Sequence, residues 1–124
     1  MQELTEIAPK EREIQLDHPN GSGEKIPFWV NLISHDDPRM KQYQRAVQDK
    51  QAHKAARQKF FSAAEKETAV IDLVARTVVG WRCEMLFNGE VPEYSHRKAV
   101  EMLTELPWFF KQISDEAGDT ERFF

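Results

Sequence analysis

Apolar and polar residues alternate first at Glu13-Ile14-Gln15-Leu16-Asp17, a period of two that predicts a β-strand with one buried face. His18-Pro19-Asn20-Gly21-Ser22-Gly23 follows, a dense turn in which Pro fixes φ and Asn-Gly tolerates positive φ. Over Lys25–Ser34 the alternation resumes, with Ile26, Phe28, Val30 and Leu32 on one face. The two segments together predict a β-hairpin over 13–34, with a loop longer than the tight two-residue type. Pro27 has no N–H to give to a ladder, so it marks an edge or a strand start. A lone hairpin is marginal in water. This one must pack on helices or pair with another chain.

The period then lengthens. Asp36-Asp37-Pro38 reads as a helix start, with Asp37 as cap and Pro38 at the first helical position. The helix it opens extends to about Lys66. Its apolar residues are sparse: Met40, Tyr43 and Val47, alanines at 52, 55 and 56, then Phe60 and Phe61. A narrow contact stripe on a solvated helix results. Ser62-Ala63-Ala64-Glu65 has the capping-box pattern and either restarts the helix or lies inside a continuous one. Segment 67–87 is far more apolar. Positions 70, 71, 74, 78, 81 and 85 share one face at helical spacing, which predicts the central core helix. Asn88-Gly89 suits its left-handed cap. Ser95 opens a further helix through Glu105, which buries Ala99, Val100, Met102 and Leu103. Pro107 starts another with Trp108, Phe109 and Ile113, and Gly118 stops it.

The expected fold is therefore mainly α with a small N-terminal β-hairpin (α+β), its helical domain built of about four helices. The 124 residues suit a single domain over 1–124. It divides into a loose lead-in at 1–12, the hairpin at 13–34, the helical domain at 38–118 and a tail at 119–124. A mean hydropathy of −0.65 implies a thin core. Net charge is −4 but unevenly spread: −5 over 1–37, +6 over 38–66 and −5 over 67–124. Such a basic middle suits nucleic acid, or the acidic ends of another copy. No apolar run approaches the ~20 residues of a membrane span. The start Met1-Gln2-Glu3-Leu4-Thr5-Glu6 lacks the basic and apolar stretches of a signal peptide, which points to the cytoplasm.

Catalytic and metal-binding chemistry finds no foothold. The histidines at 18, 35, 53 and 96 stand far apart, without metal-ligand spacing. Ser34-His35-Asp36 has triad residue types, but as direct neighbours whose side chains diverge. Gly21-x-Gly23 precedes a strand and so is no phosphate cradle. Cys83, the single cysteine, reads as a small packed residue and leaves no intrachain disulfide. No enzyme activity, cofactor or metal is expected. Lys41, Arg45, Lys50, Lys54, Arg57 and Lys59 supply phosphate-neutralising charge, yet no base-reading helix stands out, so nucleic-acid binding is the weaker reading. Trp81 reads as core. Large apolar residues at the hairpin, the Pro-Trp restart and the tail make Phe28, Trp29, Val30, Trp108, Phe109, Phe123 and Phe124 the candidate partner or oligomer interface.

Gly80-Trp81, the turn Gly89-x-x-Pro92, Tyr94-Ser95, Leu103, Leu106-Pro107-Trp108 and the terminal Phe together resemble the tail assembly chaperones of long-tailed bacteriophages. The hairpin and long polar helix agree in outline, so the likeness covers about 110 residues, a length typical of one domain. One departure lies at Ser95-His96-Arg97-Lys98, where Lys98 cannot close a capping box. The resemblance implies a non-enzymatic protein of the host cell cytoplasm, absent from the mature virion. It implies that the protein coats and solubilises the tape measure protein and yields to tail tube protein as the tube grows. Many such families also add a longer frameshifted form, and the charge asymmetry of this chain would let copies associate head to tail into a homo-oligomer, a ring or spiral. No membrane partner is implied. A small nucleic-acid-binding or regulatory phage protein, using the basic helix 38–66, is the alternative.

Overall fold

The computed structural model describes residues 3–45 and 63–124, apart from the side chains of 63–65. Strand β1 (Arg12–Asp17) and strand β2 (Lys25–Leu32) form the hairpin. Helix α1 begins at residue 38 and is described to residue 45. Helix α2 (Ala63–Thr77) runs directly into strand β3 (Val78–Cys83). Helices α3 (His96–Glu105) and α4 (Pro107–Gly118) follow, then a 3-10 turn at Thr120–Phe123. The strands make one antiparallel sheet in the order β1-β2-β3.

The third strand overturns the expected fold class. The fold is α+β around a three-stranded sheet, not a helical domain with a hairpin attached. The predicted helix 67–87 ends ten residues early, at Thr77. Its apolar face at 70, 71, 74, 78, 81 and 85 is thus divided among a helix, a strand and the loop that follows it. The physical reason lies in Thr77-Val78-Val79-Gly80. Two β-branched valines lose χ1 freedom in a helix, and Gly80 weakens one further. Across the helix–strand junction, Ile33 N–H donates to the Thr77 carbonyl at 2.8 Å, while the Thr77 hydroxyl donates to the Val74 carbonyl at 2.6 Å. Val30 then faces Trp81, and Phe28 faces Cys83. This pairing answers the marginal stability of an isolated hairpin within the chain itself.

Pro27 lies in the central strand rather than on an edge. The ladder between β1 and β2 slips there, between Gln15 and Asp17. Such an irregularity accommodates a residue with no N–H. The Gln15 side chain instead donates to the Ile26 carbonyl at 3.0 Å.

One face of the sheet carries Ile14, Leu16, Ile26, Phe28, Val30 and Leu32 into the core. Val74 and Ala75 of α2, Ala99, Met102 and Leu103 of α3, and Phe109 and Ile113 of α4 close over it. The other face bears Trp29, with the Arg82 guanidinium stacked 4.0 Å from its ring centroid. Helix α4 also guards the free edge of β1. Gln112 bonds the Asp17 backbone through both N–H and C=O, and Arg12 pairs with Glu116 at 2.8 Å. Asp37 caps α1 as its sequence indicates, accepting from Arg39 N–H at 2.9 Å. The Arg39 side chain bonds the same carboxylate, which holds the Asp37 pKa below the ordinary value. The predicted continuation of this helix through the alanines, Phe60, Phe61 and the basic cluster from Lys50 to Lys59 lies outside the described residues.

Candidate functional site

The site is built on the segment that leaves β3. Glu84 N–H donates to the Pro27 carbonyl at 2.9 Å, extending the strand contact by one bond. Met85 and Leu86 follow, and the chain then reverses. Phe87 and Glu90 exchange backbone bonds at 2.7 and 3.2 Å, with Asn88 at φ 53° and Gly89 at φ 87° between them. Two successive positive φ values are what a tight hairpin turn of Asn-Gly type demands. The Asn-Gly pair therefore turns a miniature hairpin and caps no helix.

Two aromatic side chains pin the far side of this loop. The Trp81 indole N–H donates to the Pro92 carbonyl at 2.9 Å. The Tyr94 hydroxyl donates to the Val78 carbonyl at 2.8 Å. Their rings meet edge to face at 5.1 Å. Ser95 then caps α3 by accepting from Lys98 N–H at 3.0 Å. Lys98 fills this cap through its backbone, so its failure to suit a capping box costs only the reciprocal bond.

An apolar groove of about 250 Å³ opens between this loop, the hairpin turn and the α3–α4 junction. Met85, Leu86 and Phe87 form one wall, Leu106 and Trp108 another, and Phe28 and Met102 lie at its base. His18 and Pro19 of the hairpin turn complete its rim. Three aliphatic side chains of the loop are left to solvent: Leu86 is 70% exposed, Val91 54% and Met85 40%. Among the described residues, Glu84, Glu90 and Glu93 on the same loop form no ion pair.

The candidate interface residues divide between core and surface. Phe28, Val30, Phe109 and Phe123 are buried, so within one folded chain their surface is already used. Phe123 in particular is not the exposed anchor that its place in the tail implies. The turn at Thr120–Phe123 folds it back, and its carbonyl accepts from Lys10 N–H at 2.7 Å. Trp29 is half-buried on the outer sheet face, Trp108 is half-buried in the groove wall, and Phe124 is 61% exposed. The structure brings Phe28 and Trp108 to the groove and leaves Trp29 and Phe124 apart from it. Met85 falls on the expected helix face over 67–87, and Leu86 and Phe87 at its end, so that helix hides the loop, while Leu106 enters only through the Leu106-Pro107-Trp108 motif. The Asn-Gly pair read as a hairpin turn was the signal that would have found them.

The residues of catalytic type stay apart. The Ser34 hydroxyl accepts from Asp36 N–H at 3.1 Å, and the Asp36 carboxylate accepts from the Thr120 hydroxyl at 3.0 Å. Neither bond forms a relay through His35, whose pKa burial lowers. Burial raises the Cys83 thiol above its ordinary pKa, which keeps it protonated at neutral pH. Among the described residues no cluster of His, Cys, Asp and Glu has the makings of a metal site, and no helix is long and apolar enough to cross a membrane.

Residues 36–124, well over half of the chain, match the family of YdaY prophage proteins. The chain belongs to the YdaY prophage protein family. Neither a curated protein nor a solved structure matches it. Membership makes it a phage-associated protein. The matched span holds α2 to α4, β3 and the groove loop, but stops short of the β1–β2 hairpin. The family resemblance thus coincides with the part of the chain where the large apolar residues are punctuated by turns.

Proposed function

We propose that this YdaY-family protein is a non-enzymatic tail assembly chaperone that binds the tape measure protein and keeps it soluble during tail morphogenesis in the host cytoplasm. The observation that carries the reading is the groove with its exposed rim: Leu86, Val91 and Met85 stand in solvent beside an open apolar hollow. Large exposed apolar groups around a groove mark a partner surface. A chaperone for a long helical client needs repeated weak apolar contacts rather than a reaction centre. The prophage family supplies the setting in which such a client is made. Met85 and Met102 add adaptability, since the unbranched thioether repacks around varied side chains.

The test is coexpression with the tape measure protein of the same prophage. The wild-type chain should raise the soluble fraction of that client severalfold, and Leu86→Asp should abolish the gain. An unchanged soluble fraction with the wild-type chain would overturn the reading. Sedimentation over a range of concentrations checks the accompanying expectation that copies self-associate into rings or spirals.

A further inference from the structure

We infer that the groove takes an amphipathic helix whose apolar stripe is flanked by basic residues. The inference rests on the chaperone reading and specifies the client segment. Size argues against a metabolite: about 250 Å³ lies below the ~300–1,000 Å³ of small-molecule pockets. It suits the insertion of one or two large side chains, which is how a helix docks into an apolar groove. Charge then selects the flanks. Glu90 exchanges backbone bonds with the lining residue Phe87 and Glu93 adjoins the lining residue Pro92; both are exposed and form no ion pair among the described residues. Glu105 stands beside Leu106 on the opposite wall and, among the described residues, meets only the Asn88 amide, at 3.4 Å. Of the nearby cations, Arg82 stacks on Trp29 on the other sheet face, 4.0 Å from its ring centroid, and Lys98, 5.7 Å from the Phe87 ring centroid, is paired with Glu101 at 3.0 Å. Both walls of the groove therefore adjoin carboxylates that no cation pairs among the described residues. Opposite charge on the partner would set its register and hasten encounter.

The experiment uses the full chain and two fluorescent peptides of about 20 residues, long enough to hold a helix. Both carry the same Leu/Phe stripe; one has Lys flanks and the other Glu flanks. Fluorescence anisotropy should show the Lys-flanked peptide binding at least tenfold more tightly, with an affinity that falls as salt rises. Glu90→Gln, Glu93→Gln and Glu105→Gln combined should remove about tenfold of that affinity, because exposed ion pairs are individually weak. Leu86→Asp should remove binding of both peptides. Equal binding of the two peptides, or tighter binding of the Glu-flanked one, overturns the inference. So does a finding that neither peptide binds while sedimentation shows dimers lost in Leu86→Asp, since the occupant is then a second copy. The tape measure coexpression runs in parallel with the same variants. A soluble client together with charge-blind peptide binding sinks the inference alone. Selective binding of the Lys-flanked peptide beside an insoluble client sinks the chaperone reading and leaves the groove's preference standing.

Discussion

Helix α4 and the loop from Glu84 to Tyr94 are both rich in large apolar residues, yet they use them in opposite ways. In α4, Phe109, Ile113 and Ala117 are fully buried, and Phe109 lies 5.6 Å from the Phe28 ring. In the loop, Leu86, Val91 and Met85 face solvent while the backbone is held by turn geometry and two side-chain bonds. The first region obtains its order from burial. The second obtains it from hydrogen bonds and restricted dihedrals, which leaves its apolar groups exposed. A hydrophobic residue thus reports on the core only when its element presents it there.

Among substitutions that keep the chain folded, Phe109→Ala should have the largest effect. It removes a fully buried ring and leaves a cavity at the contact of α4 with the sheet, at a cost of about 3–5 kcal/mol. Denaturant titration checks this, and a loss under about 1 kcal/mol would mean that α4 collapses onto the gap. Trp81→Phe comes next because it joins the two regions. The smaller ring still reaches toward Phe28 and Tyr94, but the bond to the Pro92 carbonyl is lost. The expected cost is about 2 kcal/mol, part from the unsatisfied carbonyl of a buried residue and part from lost volume. Faster amide exchange across 84–94, with α4 unchanged, is the accompanying signature. Gly89→Ala should cost about 1 kcal/mol. Nothing lies within 4 Å of the added Cβ, so the penalty is that of φ 87° alone. A neutral outcome would show that the turn relaxes to another form without disturbing the fold.

Much of this architecture is legible from the chain, and the losses are concentrated at one place. The β1–β2 hairpin shows because its alternation is bounded by a dense turn, and α3 and α4 show because Ser95 and Pro107 announce them. Strand β3 does not show, since Val70, Ile71, Val74, Val78, Trp81 and Met85 happen to recur at helical spacing across a helix–strand junction. Periodicity alone cannot separate a short buried strand from the end of an apolar helix. The Val-Val-Gly sequence was the local counter-signal, but it acts only once β2 offers a partner edge. The same helical spacing hides the groove, because it places Leu86 and Phe87 at a helix end. The burial of Phe123 escapes the sequence for another reason: it depends on Lys10, 113 positions away, and on Arg12, whose guanidinium lies 5.9 Å from its ring centroid. No local pattern encodes such a contact.

Leu86→Asp should have the smallest effect on stability and is the sharpest probe of the contrast. At 70% exposure the leucine loses little burial when replaced, so the change in unfolding free energy should stay within about 0.5 kcal/mol. The same substitution in α4, at Ile113, would place an unpaired charge in a site of 0% exposure and should unfold the domain outright. Two aliphatic residues of one chain would then differ by the whole stability of the fold. Thermal melts of Leu86→Asp, run beside the client-solubility assay, read both sides of the contrast at once. A stable variant that fails to solubilise the tape measure protein assigns Leu86 to the partner surface. A variant that melts several degrees lower would instead place Leu86 among the residues that hold the loop, and the division between a buried core and a partner-facing loop would have to be redrawn at Phe87.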